Sequence, residues 1–286
     1  MPYNTGTDPT LAELITAKFI PEQFNQEVLI HTMSNLVVAN AFTHRFQKSL
    51  KKGYKVSIPV LSEGSVTEVT PGTQPTAQDL AGTAVSITVD KWYEMTVDAS
   101  PLTEIEDHAD YLNTAAKSCA YSIDKKVDTD VGSLFSTLAS SSVYGSEGQE
   151  FTDQVFRSLV ETLDTADVPD EGRFLIGDPS TKYDMLGIDK FVRQDYVNGA
   201  PTTNGQFGQL YNAKVYITNN LTAASTAGNY GVYSHPDAIG VAIQKGPNSK
   251  YHDLGWKFSH IIIVDCAWGK AVLRATFGKS FYTRSA

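Results

Sequence analysis

Residues 102–139, LTEIEDHADYLNTAAKSCAYSIDKKVDTDVGSLFSTLA, contain no proline, and their one glycine, Gly132, falls close to the end. Apolar side chains recur every three or four positions: Leu102, Ile105, Ala109, Leu112, Ala116, Cys119, Ile123, Val127, Val131, Leu134 and Leu138. On a helix these form one continuous stripe, with Glu104, Glu106, Asp107, Asp110, Lys117, Asp124, Lys125 and Asp128 mostly between them. At the rise of an α-helix the stretch predicts a rod roughly 50 Å long, above the usual globular range. Such a helix is a spine, and the rest of the chain reads as two lobes and several arms hung on it.

Upstream, the first ten residues are polar, with Pro2, Gly6 and Pro9, and predict a leading arm. Two short helical patches follow, broken at Pro21, with Phe24, Val28, Leu29, Leu36 and Val37 as their apolar face. The period then changes from three or four to two. KKGYKVSIPVL alternates at Val56, Ile58 and Val60, and VSITVDKWYEMTVD at Val85, Ile87, Val89, Tyr93, Met95 and Val97. Residues 62–84 between them are dominated by Ser, Thr, Gly, Pro and Ala. This predicts a long two-stranded hairpin with a loose polar tip. A lone hairpin is marginal in water, so it needs a second surface, from its own domain or from another chain.

Downstream, SSSVYGSEGQE (140–150) marks the clearest domain boundary. Thr152 or Asp153 caps a helix with Val155, Phe156, Leu159, Val160 and Leu163 on one face. RFLIG is a buried strand, and Asp178 with Pro179 opens another helix. Loops at 197–210 and 219–229 separate strands KVYIT, YGVYS and GVAIQ, and this alternation implies an α/β lobe. The final segment holds the run Ile261–Val264, a turn near Trp268–Gly269, then Val272, Leu273 and Phe277. A continuous apolar run predicts a strand covered on both faces, with the spine as its cover. The end of the chain would thus rejoin the spine's lobe.

Chemistry is hard to find. The sequence has no GxGxxG, GxxxxGK[ST], GxSxG or HExxH pattern. GAPTTNGQFG lacks the strand–loop–helix setting of a phosphate cradle, and six histidines are scattered. His252 and His260 near Asp253 and Asp265 have a spacing that carries little metal signal. Asp107, His108 and Asp110 read as a solvated cluster on the spine. Cys119 and Cys266 both sit in apolar patterns and read as small buried hydrophobes. No catalytic, metal-binding or cofactor-binding residue is expected. The formal net charge is -9, which argues against wrapping DNA by phosphate neutralisation. No secretory signal is visible, and no apolar stretch is long enough to span a membrane.

In this order, an arm, a long hairpin, a spine, an inserted α/β lobe and returning strands resemble the major capsid protein of tailed bacteriophages, the Hong Kong 97 fold. The carriers are KVSIPVL, VDASPLTEIEDHADYLNTAAKSCAYSIDKKVDTDV, GRFLIGDPSTKYDML, YSHPDAIGVAIQK and WGKAVLRATFGKSF. Each is degenerate alone, and their order and spacing carry the resemblance. It implies an α+β fold with residues 1–49 as arm and short helices and 50–100 as the extended loop. Residues 101–149 with 246–286 would form the peripheral domain, and 150–245 the axial domain. It further implies pentamers and hexamers of this chain closing into an icosahedral shell around double-stranded DNA. The location is then the virion, after assembly in the host cytoplasm. Subunit-interface candidates are Glu63, Glu68, Lys91, Trp92, Tyr93, Asn204, Asn219 and Asn220. Here the fold begins within about twenty residues of Met1, which implies a separate scaffolding protein or prior cleavage. A portal belongs to the same expectation, and a decoration protein is compatible with it. Isopeptide cross-linking through Lys91 or Asn113 is not carried over.

Three rival readings stay open at this level. An encapsulin-type nanocompartment shares the fold but encloses a cargo enzyme. A soluble α/β enzyme would build its site from the loops between 197 and 229. A tail-tube or adhesion protein would use the hairpin for rings and leave the spine unexplained.

Overall fold

The computed structural model describes residues 37–51, 53–61, 64–69, 71–72, 74, 82–99, 111–138, 143–188, 209–210, 213–255 and 259–284. In chain order its helices are α1 (Val38–Ala41), α2 (Tyr111–Gly132), α3 (Asp153–Thr165) and α4 (Pro179–Leu186). Its strands are β1 (Lys55–Leu61), β2 (Gly82–Ala99), β3 (Phe174–Gly177), β4 (Gln209–Leu210), β5 (Ala213–Ile217), β6 (Tyr230–Ser234), β7 (Ile239–Leu254), β8 (Ser259–Val272) and β9 (Gly278–Tyr282). They form two sheets. One is antiparallel in the order β1-β2-β8-β7, and the other runs β4-β5-β3-β6-β9 with β3 and β5 parallel.

Helix α2 is the spine. Its predicted start at 102–110 lies outside the described residues, and its described part ends at Gly132 rather than running to 139. Beyond it, Ser133 and Leu134 donate to carbonyls three residues back, and Phe135–Leu138 is a 3-10 turn. A 3-10 pitch brings residues three apart onto one side, so Phe135 and Leu138 are both fully buried. Along α2 itself Cys119, Ile123, Val127 and Val131 are buried, as the stripe requires. They pack on Ile262, Val264, Cys266 and Trp268 of β8.

Strand β8 passes straight through Trp268–Gly269, where the sequence predicted a turn. Gly269 is there for close approach: a Cβ would lie 2.3 Å from the Thr88 carbonyl oxygen on β2. Nor is the isoleucine run covered on both faces. Ile262 and Val264 are buried under α2, while Ile261 and Ile263 are half-buried on the opposite, outer face.

The hairpin forms in the register expected of period two, with Val56 opposite Ile87, Ile58 opposite Val85 and Leu61 opposite Gly82. It has a root of its own. Leu50, Ile87 and Ala242 form a small buried cluster on the outer face, covered by the 3-10 segment Arg45–Lys51. β2 then continues past a bulge between Val89 and Lys91 to pair with β8 as far as Ala99 and His260.

The five-stranded sheet is covered on both faces. Leu175, Tyr233 and Phe281 point towards α3 and α4 with Phe156, Leu159, Leu163 and Met185. Phe174, Ile176 and Val232 point the other way, into the same core as the spine. Thr152 caps α3 through the Val155 N–H, and Asp178 caps α4 through the Thr181 N–H at 2.8 Å, as the sequence predicted. The strand order departs from the predicted boundaries in two places. Residues 240–244 belong to β7 in the four-stranded sheet, and 278–282 form β9 beside β6 in the other. Tyr144, in the predicted boundary segment, extends that edge by exchanging backbone hydrogen bonds with Ser280 and Tyr282.

Candidate interaction surface

Because side chains alternate along a strand, the four-stranded sheet has an inner face on the spine and an outer face. The outer face is covered near the hairpin root by Phe46 and Leu50. Farther out no described segment covers it. By register it carries Trp92, Glu94, Thr96 and Asp98 from β2, Ile261, Ile263 and Asp265 from β8, and Lys250 and His252 from β7. Trp92 is 74% exposed, and its indole N–H donates to Asp265 at 3.1 Å. The Lys245 ammonium bonds the same carboxylate from the other side. That ammonium, and then the indole, hold Asp265 below the usual carboxylate range. Beyond this group two half-buried isoleucines lie between an acidic row on β2 and the basic residues of β7.

The hairpin tip is the second exposed feature. Val66 is 99% and Val69 69% exposed, with Glu68 beside them also exposed. Isolated apolar residues at a surface are ordinary, but two on one protruding polar tip mark contact area.

The predicted interface residues distribute unevenly. Trp92, Glu68 and Asn219 are exposed. Tyr93 is exposed too, at 42%, but on the spine side, stacked on Trp268 with centroids 5.2 Å apart and with the Lys126 ammonium 5.3 Å from its ring. Lys91 is paired with Asp90 at 3.2 Å, which raises its pKa. Asn220 is a correction: it is buried inside the subunit with its side chain towards Asp128. Glu63 and Asn204 lie outside the described residues, as does 197–208. The other polar loop, 219–229, is tied down by the Glu147 carboxylate, which accepts from the Ser225 hydroxyl and from the Thr226 and Ala227 N–H groups. Ile261, Ile263 and Lys250 were missed by sequence reasoning. Their shared face emerges only from the partner strands, which lie far away in the chain.

Enzyme-like features are sparse among the described residues. No three His, Cys, Asp or Glu side chains converge as a metal cluster. Tyr144, Glu161, Thr162, Thr165 and Ala166 line a shallow depression of about 350 Å³ with no nucleophile–base pair. Burial lowers the His235 pKa, and the ring accepts from the Asp237 N–H, a local turn contact. No described helix is long and apolar enough to cross a membrane.

No family model matches the chain, and no curated protein matches it in sequence. Solved structures match it along nearly its whole length. One, from Mycobacterium phage Che8, superposes with a TM-score of 0.81 at 20% identity, covering 92% of this chain and 97% of that one. A second, described as the capsid structure of the Cyanophage P-SCSP1u, has a TM-score of 0.77 at 16% identity and covers 100% and 97%. A third, the asymmetric unit of the bacteriophage PhiM1 mature capsid, has a TM-score of 0.72 at 12% identity and covers 92% and 91%. The chain therefore has the α+β architecture of phage capsid structures, the Hong Kong 97 type.

Proposed function

We propose that this chain is the major capsid protein of a tailed bacteriophage, assembling into pentamers and hexamers of an icosahedral shell around double-stranded DNA. The observation that carries this is the match to structures described as phage capsids over nearly the full length of both chains. The role is structural rather than enzymatic. The spine and the four-stranded sheet then form the peripheral domain. The five-stranded sheet, to which residues 278–282 return, forms the axial domain, and its polar loops face the capsomer centre. The hairpin is the extended loop, and Trp92, Glu68, Asn219 and Lys91 stand at or near subunit contacts. A separate scaffolding protein and a portal are the expected partners, with assembly in the host cytoplasm and a final place in the virion. An excess of carboxylates, net -9, keeps the wall from adhering to packaged DNA.

The exposed hairpin tip and the open outer face complement each other. Val66 and Val69 match Ile261 and Ile263, and Glu68 matches Lys250. In this reading the tip of one subunit lies on the outer face of its neighbour. The test is negative-stain electron microscopy of the purified full chain, with sizing. Closed shells, rings of five or six, or curved sheets support the proposal. A monomer that stays unchanged with the scaffolding protein present overturns it, and shells filled with a cargo enzyme instead of DNA point to a nanocompartment.

A further inference from the structure

We propose that Asp128 is a three-way latch, tying Val37–Ala39 to the spine and to the turn at 218–222. Its side chain is buried, at 2% exposure. One carboxylate oxygen accepts from the Ala39 N–H at 2.7 Å and the other from the Val38 N–H at 3.3 Å. The Val37 N–H and the Asn220 side chain face it as well. Helix α1 is four residues long, and Val37 at its N-cap position has no side-chain cap to offer. The first turn is thus satisfied from the spine, 90 residues away in sequence.

General stability does not explain an aspartate here. Asp128 lies near the C-terminal end of α2, where the helix dipole disfavours an anion. Burial disfavours it further, and an apolar residue would suit the surroundings unless the carboxylate has specific partners. Two residues on and roughly 200° around the helix, Asp130 binds the Trp268 indole at 3.0 Å and the Lys270 ammonium at 2.9 Å. The two carboxylates hold the end of the spine from opposite sides, one to α1 and one to the sheet. Phe42, wedged between Phe135 and Phe174, and Thr43, bridged to Gly240, fix the residues that follow α1. A shift of the spine's last turn or of Asn220 must therefore be felt at residues 37–43. This holds whether or not the chain builds a shell.

Among the described residues the charged group facing Asp128 is Asp124, one turn earlier on the same helix, while α1 and the 218–222 turn present N–H groups and an amide. Burial raises its pKa against the Ala39 and Val38 N–H groups, the Asn220 amide and the Val37 N–H, which pull it down, so the latched state keeps its proton to higher pH than an exposed carboxyl would. Raising the pH through that range therefore favours the open state. Hydrogen exchange on the purified full chain tests the latch. Asp128→Ala should lower protection about tenfold at 37–43 and 218–222, with β3 and β8 unchanged. In the wild type, protection at those two segments should fall as pH rises past the ordinary carboxylate range, and in Asp128→Asn it should not. Unchanged protection at either segment in Asp128→Ala overturns the latch. If that variant does not fold, Asp128→Asn decides: a pH dependence equal to the wild type's overturns the proposal.

Discussion

Gly269 and Cys266 lie three residues apart on β8 and constrain the sheet in different ways. At Gly269 a Cβ would meet the Thr88 carbonyl carbon at 2.8 Å and the Val89 nitrogen at 3.0 Å, besides the Thr88 oxygen. All three are backbone atoms, so no rotamer change relieves the clash and the strands must separate at the bulge. Gly269→Ala should lower stability by about 1–3 kcal/mol in urea denaturation, with the exchange increase centred on 82–89. Cys266 is fully buried, and burial, with Asp124 and Asp265 nearby, pushes its thiol up to about 11 from the ordinary 9.0. In the unfolded chain the thiol ionises at lower pH than in the folded one. Its contribution to stability is therefore intact below pH 9.0 and is lost as pH rises towards about 11. Cys266→Ala should be less stable at neutral pH but lose less stability between those limits. Equal alkaline slopes in the two proteins would contradict the assignment.

At the scale of elements, the local pattern and the long-range pairing had different legibility. The register of β1 on β2, the stripe of α2 and the caps at Thr152 and Asp178 are written in neighbouring residues, and the sequence shows them. The pairing of β2 with β8 is not, because its partners lie some 170 positions apart, as Trp92 and Asp265 do. Without that pairing, Trp268–Gly269 looks like a turn and residues 278–282 look like part of the spine's lobe. Asp128 failed for a related reason. A charge between apolar helix positions reads as solvated until the segment that covers it is known. The candidate surface was half visible: Trp92 and Glu68 stand out by type, whereas Ile261, Ile263 and Lys250 need the register. The hairpin root gives an element-scale prediction. Ile87 sits in a cluster of three buried residues, and Leu159 in one of ten. Both truncations to Ala should cost about 2–5 kcal/mol, with Ile87→Ala at the low end because its small cluster can collapse. Ile87→Ala should raise exchange in 55–61 and leave α3 protected, and Leu159→Ala should do the reverse. Matching exchange patterns would mean the hairpin has no root of its own.

For the whole molecule, the question is what the hairpin contributes beyond its buried root. The root cluster and the pairing of β2 with β8 hold the base, and the described residues between Leu61 and Gly82 (64–69, 71–72 and 74) are all exposed. Leu61 and Gly82 are opposite one another, close enough for a two-residue turn. Replacing 62–81 with Asn-Gly should therefore leave the denaturation midpoint nearly unchanged while abolishing closed shells in electron micrographs. The same contact can be tested by charge. Glu68→Lys or Lys250→Glu alone should lower the yield of shells, because each sets like charges against each other where the tip meets the neighbour. The double exchange should restore much of the yield, and more completely at low salt than at high, since the pair is exposed and screened. Truncated chains that still close into shells would remove the hairpin from assembly. Single reversals that assemble normally would keep the hairpin and move its seat elsewhere on the neighbour.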